Sequence, residues 1–279
     1  MPELPEVETI VRQLNKKIKG LKIKKVWFDY SKLLKGEINQ QNFKKIVESK
    51  TILQVKRKGK NIIFYLSGGW SLLIHLKLTG RILVGENCLV AKDPYVHFKM
   101  KLSDGNYLAL SDLRKFAKII LDKTEKIKTL KEIKKLGLEP IAKNFTFESF
   151  NEVLAKKRSG KIKNILMDQS VVSGIGNIYA NEILWKAKVS PFKDIKSLSQ
   201  KEKRGIYKAM KEILEEAIKL RGSTINDEMY RDTKGKMGGY GKFLKAYHQK
   251  KCSRCGSPIK RTLEKGRATF YCPKCQSIC

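Results

Sequence analysis

Val7, Ile10, Val11, Leu14 and Ile18 recur at the spacing of one helical face, and they follow Pro5, Glu6 and Glu8, residues suited to a first helical turn. The pattern predicts an amphipathic helix beginning a few residues into the chain. The period then changes. Ile74, Leu76 and Leu78 alternate with His75, Lys77 and Thr79; Val96, Phe98, Met100 and Leu102 repeat the alternation; Asp104-Gly105 breaks it before Tyr107 to Leu110, as a hairpin turn would. From the first helix to about residue 122 the chain reads as mostly antiparallel strands with a core of their own.

A helical period returns from about residue 125, after a break marked by the lysine-rich stretch Lys123 to Lys135 and by Pro140. Thr146 opens a segment carrying Phe147, Phe150, Val153 and Leu154. Two more follow, Ile162 to Met167 and Asn177 to Trp185, and Ser199 with Glu202 makes a capping box before Ile206, Met210, Ile213, Leu214 and Ala217. The predicted class is α+β and multidomain. An antiparallel β-sandwich with an N-terminal helix takes 1–124, a linker 125–145, a helical bundle 146–240 and a β-hairpin module 241–279.

Composition adds a partner class. Sixty Lys and Arg against 27 Asp and Glu give a formal charge of +33, with basic clusters at Lys16 to Lys25, Lys56 to Lys60, Lys156 to Lys163 and Lys260 to Arg267. A polyanion is the expected partner, and nucleic acid fits better than a membrane surface because the clusters fall on strands and loops as well as helices. A general lysine bias would supply part of the excess, but not its placement beside the motifs below. No secretory signal pattern and no apolar run of spanning length occurs, so a cytoplasmic protein without a membrane partner is expected.

The last forty residues are poor in apolar side chains and hold Cys252, Cys255, Cys272 and Cys275. Two C-x-x-C pairs sixteen residues apart predict two tight turns closing a tetrahedral Zn²⁺ site at the end of a hairpin, with strands Ile259 to Leu263 and Ala268 to Tyr271. Four thiolates leave no open position, so one zinc is expected and its role is structural. Cys88 and Cys279 fall outside the spacing and read as non-ligands.

The chain start offers chemistry. Removing Met1 from Met1-Pro2-Glu3-Leu4-Pro5-Glu6 would leave a secondary amine beside a carboxylate. An α-amine titrates near 7.7 to 8.0, whereas a lysine titrates near 10.4, so at neutral pH far more of it is nucleophilic. A secondary amine on an aldehyde-like carbon gives an iminium, an electron sink for elimination. The plainer reading is an ordinary helix start rich in Pro and Glu, and these residues alone do not decide between the two. Ser173-Gly174-Ile175-Gly176-Asn177, between two helical segments and near Lys161 and Lys163, suits either a phosphate approaching backbone amides or a simple glycine turn.

Together these places resemble one family, the formamidopyrimidine-DNA glycosylases, which excise oxidised purines and nick the strand. The resemblance runs from the PELPEVET start through Met167-Asp168-Gln169 and Gly176-Asn177-Ile178-Tyr179-Ala180, the helix-two-turn-helix signature, to Arg267-Ala268-Thr269-Phe270-Tyr271-Cys272 of the zinc finger. It implies Pro2 as nucleophile at C1′ of the damaged nucleotide and Glu3 as proton shuttle, with Lys60 and Arg267 completing the catalytic set and Glu6 supporting it. It implies β- and δ-elimination from the iminium. Leu78, Arg114 and Phe116 would fill the hole left by the flipped nucleotide, and His97, Lys115, Lys163 and Asn177 would contact DNA. The implied partner is double-stranded DNA carrying oxidised bases or abasic sites, bound by a monomer.

Several positions depart from the family pattern. Leu78 stands for the more usual methionine, Lys115 for a second arginine, and Tyr247 to Cys252 is a shortened approach to the finger. The glycine-rich run Lys234 to Gly241 takes the place of the lesion-capping loop. A sister branch acting on oxidised pyrimidines usually has Gly where Leu4 stands, and Arg114 with Phe116 also speaks against it. A zinc-ribbon nucleic-acid binder without catalysis would explain the charge and the cysteines, but not Pro2-Glu3.

Overall fold

The structure, a computed structural model, describes residues 1–87, 92–157, 159–225 and 229–277. Cys88 and Cys279 lie outside the described residues. The chain divides into two compact units, Met1–Lys134 with Leu220–Gly239, and Lys135–Lys219 with Tyr240–Cys279. Among the described residues no helix is long and apolar enough to cross a membrane.

In the first unit, α1 (Leu4–Ile18) buries Val7, Ile10, Val11, Leu14 and Ile18 as its pattern predicts. Burial of each aliphatic side chain contributes about 2 kcal/mol before entropy, so the packed face fixes this helix more firmly than its lysine-rich outer surface does. Among the described residues the strands that follow are β1 (Ile23–Phe28), β2 (Leu34–Lys35), β3 (Ile52–Lys58), β4 (Asn61–Leu66), β5 (Trp70–His75), β6 (Gly80–Gly85), β7 (Val96–Leu102), β8 (Tyr107–Asp112) and β9 (Lys118–Lys123). They form a four-stranded sheet in the order β1-β7-β8-β6 and a five-stranded sheet in the order β2-β9-β5-β4-β3. Val26, Phe98, Met100, Leu108 and Leu110 of the first sheet share one core with Ile62, Phe64, Leu72, Ile74 and Ile119 of the second and with α1. The other face of the five-stranded sheet packs Ile63, Leu73 and Ile120 against Ile127 of α3 (Thr124–Thr129), which is followed by α4 (Lys131–Lys134).

Two expectations are corrected here. The stretch before β3 contains a helix, α2 (Gln40–Val47), capped by the Asn39 side chain and anchored by Phe43 and Val47. Leu78 does not continue a strand: β5 ends at His75, Lys77 has φ +55°, and Gly80 N–H donates to Leu76 O at 3.0 Å. A Cβ on Gly80 would lie 2.4 Å from that carbonyl oxygen, so the turn requires glycine.

The second unit holds α5 (Phe147–Ala155), α6 (Ile162–Met167), α7 (Asn177–Ala187) and α8 (Gln200–Lys219), followed by the hairpin β10 (Lys260–Glu264) and β11 (Arg267–Tyr271). Thr146 and Ser149 make a capping box at α5, and Ser199 and Glu202 exchange hydrogen bonds at the start of α8. Between α6 and α7 the Gln169 side chain accepts from Gly174 N–H at 2.8 Å and donates to Ile175 O at 2.7 Å, fixing two successive turns. The hairpin reaches further toward its tip than expected. Lys265 and Gly266, both with positive φ, form a two-residue turn, and Glu264 pairs with Arg267.

Candidate active site

Pro2 and Glu3 are buried at the start of α1, where Glu3 is the N-cap and Glu6 the third helical residue. One carboxylate oxygen of Glu6 accepts the Glu3 backbone N–H at 2.8 Å, and the other accepts Ser223 N–H at 2.7 Å. Glu6, 1% exposed, thereby ties the segment bearing Pro2 to a turn more than 200 residues later. That turn needs Gly222: its φ is +78°, and a Cβ would sit 2.7 Å from Glu6 Oε1. Gln13, two turns further along α1, donates to Asp232 at 2.9 Å and accepts from Thr233 N–H at 3.0 Å. The run Lys234–Gly239 is therefore not loose at its start, since the Asp232 carboxylate also takes the N–H groups of Lys234 and Lys236, each at 2.9 Å.

Lys60 lies at the β3–β4 turn and is buried. Arg57 in the same hairpin donates to Glu8 of α1 at 2.9 Å and to Gly59 O at 2.9 Å, so the turn is tied to the helix that begins beside Pro2. His75 pairs with Asn61 on one side and Lys118 on the other in the sheet, and its Nδ1 accepts Lys77 N–H at 3.0 Å. Burial first, then the ammoniums of Lys77, Lys60 and Lys118, push its pKa down to about 3. A neutral imidazole thus sits among three cations; nothing in the local sequence marks it.

Leu78, 37% exposed, and Phe116, 49% exposed, project from two loops joined by Asp112. The Asp112 carboxylate accepts the Thr79 hydroxyl from the first loop, and Arg114 N–H at 3.3 Å and Ala117 N–H at 2.7 Å from the second. Arg114 stacks over Phe116 with its guanidinium carbon 4.8 Å from the ring centre. Lys115, at φ +56°, lies over Tyr30 at 4.9 Å. His97 on β7 is buried; its Nδ1 is 2.9 Å from Asp29, and its Nε2 is buried without a hydrogen-bond partner. Nothing in the sequence marks Asp112 or Asp29, yet both hold candidate residues in place.

In the second unit Lys163, 2% exposed, donates to Ala268 O at 3.0 Å and to the Thr269 hydroxyl at 2.7 Å. Asn177, the first residue of α7, donates to the same Ala268 carbonyl at 3.0 Å, and its own Oδ1 is buried without a partner. Asn181, one turn on, accepts Phe270 N–H at 2.8 Å. Both helices therefore grip β11 beside the exposed Arg267. Glu182 accepts the backbone N–H groups of Lys245, Ala246 and Tyr247 at 2.8 to 2.9 Å, which anchors the short connector before the finger.

The ligand atoms of Cys252, Cys255, Cys272 and Cys275 all lie within 4.8 Å of one another. Hydrogen bonds from Ser257 lower the Cys255 thiol to about 6, while desolvation and the neighbouring thiols push Cys275 up to about 12. Four such sulfurs ionise together only around a cation, so the cluster fits one structural Zn²⁺. Trp185 Nε1–H donates to Cys252 Sγ at 3.4 Å, and Gln276 joins Cys272 N–H to Val189 O, orienting the ligands from outside the cluster.

A β-sandwich opened by a buried Pro-Glu pair, a helical unit with two turns between α6 and α7, and a four-cysteine hairpin define the architecture of a zinc-finger DNA glycosylase. Family models agree: the formamidopyrimidine-DNA glycosylase N-terminal domain matches residues 1–119, its H2TH domain 136–229, and the zinc finger found in FPG and IleRS 249–278. A formamidopyrimidine-DNA glycosylase of Pelotomaculum thermopropionicum is 38% identical over the whole of both chains. Lactococcus lactis Fpg, solved in complex with DNA containing an abasic site, is similar with a TM-score of 0.88 and 35% identity, covering 99% of each chain. A variant of that protein, solved with DNA containing Fapy-dG, gives a TM-score of 0.89 at 34% identity, covering 99% of this chain and 100% of that one. The chain belongs to the formamidopyrimidine-DNA glycosylase family, the DNA glycosylases of base excision repair.

Proposed function

We propose that the protein is a bifunctional glycosylase and abasic-site lyase for duplex DNA carrying oxidised purines, 8-oxoguanine and formamidopyrimidines. The start of α1 carries this reading: Pro2 stands beside the Glu3 carboxylate, on a backbone held by Glu6. Once Met1 is removed, the Pro2 nitrogen bonds to C1′ as the bond to the base breaks, and Glu3 gives a proton to the ring oxygen as the sugar opens. The resulting iminium accepts the electron pair left when C2′ loses a proton, and the 3′ phosphate departs. A second elimination releases the 5′ phosphate, and water returns Pro2 to its free form.

Lys60, in its cationic turn, serves the lesion and its phosphate. Leu78 and Phe116 fill the gap left by the flipped nucleotide, and Arg114 meets the base opposite. His97, Lys115, Asn177 and Arg267 take phosphates; Lys163 acts by fixing the Ala268 carbonyl next to Arg267. The DNA in the Lactococcus lactis complexes supports the choice of partner.

Borohydride reduction tests the reading. Protein with a processed N terminus should form a covalent complex on a duplex holding 8-oxoguanine opposite cytosine. Trapping only on oxidised thymine would transfer the assignment to pyrimidines, and no trapping on any lesion would remove the lyase step.

A further inference from the structure

The outer face of the four-stranded sheet carries a cluster that the chemistry above does not use. Trp27 of β1 and Tyr107 of β8 lie with ring centroids 5.9 Å apart. The Lys99 ammonium stands over both rings, 5.3 Å from the centre of Trp27 and 5.7 Å from that of Tyr107, and Lys25 lies 5.5 Å over Trp27. The register sets Trp27 opposite Lys99 and Lys25 opposite Lys101, with Lys101 opposite Tyr107 on the next strand.

Two like charges directly opposite one another in an antiparallel pair destabilise the sheet. Here a carboxylate would relieve them, yet among the described residues Lys25, Lys99 and Lys101 form no ion pair. A lysine-rich composition accounts for the number of such residues, but not for two unpaired ammoniums over an aromatic pair with a third opposite them in the register. The ammoniums of Lys25 and Lys99 lie over the ring faces, which draws these cations together on one side of the sheet.

We propose that this face is a second nucleic-acid contact, which takes the phosphodiester backbone of duplex DNA extending beyond the lesion-bearing stretch. A polyanion removes the repulsion between Lys25 and Lys101, and exposed ammoniums take phosphates without regard to sequence. The inference rests on the glycosylase reading above.

The test compares lesion duplexes of roughly one and roughly four helical turns. The triple variant K25Q/K99Q/K101Q should bind the short duplex and excise its lesion as the wild type does. On the long duplex, its plot of log affinity against log salt should be shallower by about 2 to 3, as expected for three lost phosphate contacts at about 0.9 each. An unchanged slope on the long duplex would overturn the inference, and so would equal weakening on both lengths, which would put these lysines in the lesion site. K25R/K99R/K101R keeps the charges and should keep the wild-type slope; a loss matching the glutamine variant would make the role structural. Failure of the wild type itself to excise from the short duplex would instead remove the glycosylase reading.

Discussion

His75 refuses a proton that the unfolded chain accepts. Its pKa is near 6.5 when unfolded and about 3 when folded, so stability is lost progressively as pH falls from 6.5 toward 3, by up to about 1.4 kcal/mol per unit. His75→Gln should therefore lose about 2 kcal/mol less than the wild type between pH 7 and pH 5. Denaturant melts at the two pH values check this, and equal losses would contradict the buried neutral ring. The spacing of the four cysteines shows in the sequence because their ligand atoms meet through two local turns. His75 does not, since its environment comes from Lys60, Lys77 and Lys118, which only the sheet register gathers. Asp112 is likewise silent: its partners Thr79 and Ala117 lie on two loops that nothing in their sequence pairs.

At the level of elements, α1, α5 and α8 follow from apolar periodicity and caps because each buries one continuous stripe. Helix α2 escapes such a reading. Its eight residues bury only Phe43 and Val47, too few turns for a period to stand out among lysines and polar residues. Strand β5 is overestimated because the alternation persists through Leu78 while the backbone has already turned at Lys77. Contacts between elements give a sharper test. A methyl group at Gly222 meets the Glu6 carboxylate at 2.7 Å and takes on φ +78°. Gly222→Ala should cost about 1 to 3 kcal/mol and slow single-turnover excision with little change in duplex binding. Thermal melts and rapid-quench assays measure the two effects; normal excision in a destabilised variant would show that Glu6 does not support Pro2.

For the molecule as a whole, the chain divides into two compact units, and the cysteine cluster lies in the second. Metal removal should then act on one unit. Chelation should lower or abolish the calorimetric transition of the second unit and alter Trp185 emission, while the transition of the first unit stays in place. A single transition moving as one would contradict this. The charge of +33 makes any such comparison salt-dependent, so ionic strength must be matched.

The first unit is discontinuous: the partners of Glu6 and Gln13 come from Leu220–Gly239. A ribosome adding about 5 to 20 residues per second needs roughly ten to forty seconds to pass from Glu6 to Ser223. For that interval Glu6 lacks its Ser223 donor. The segment that carries Pro2 and Glu3 thus gains its final anchorage only once Ser223 has been made.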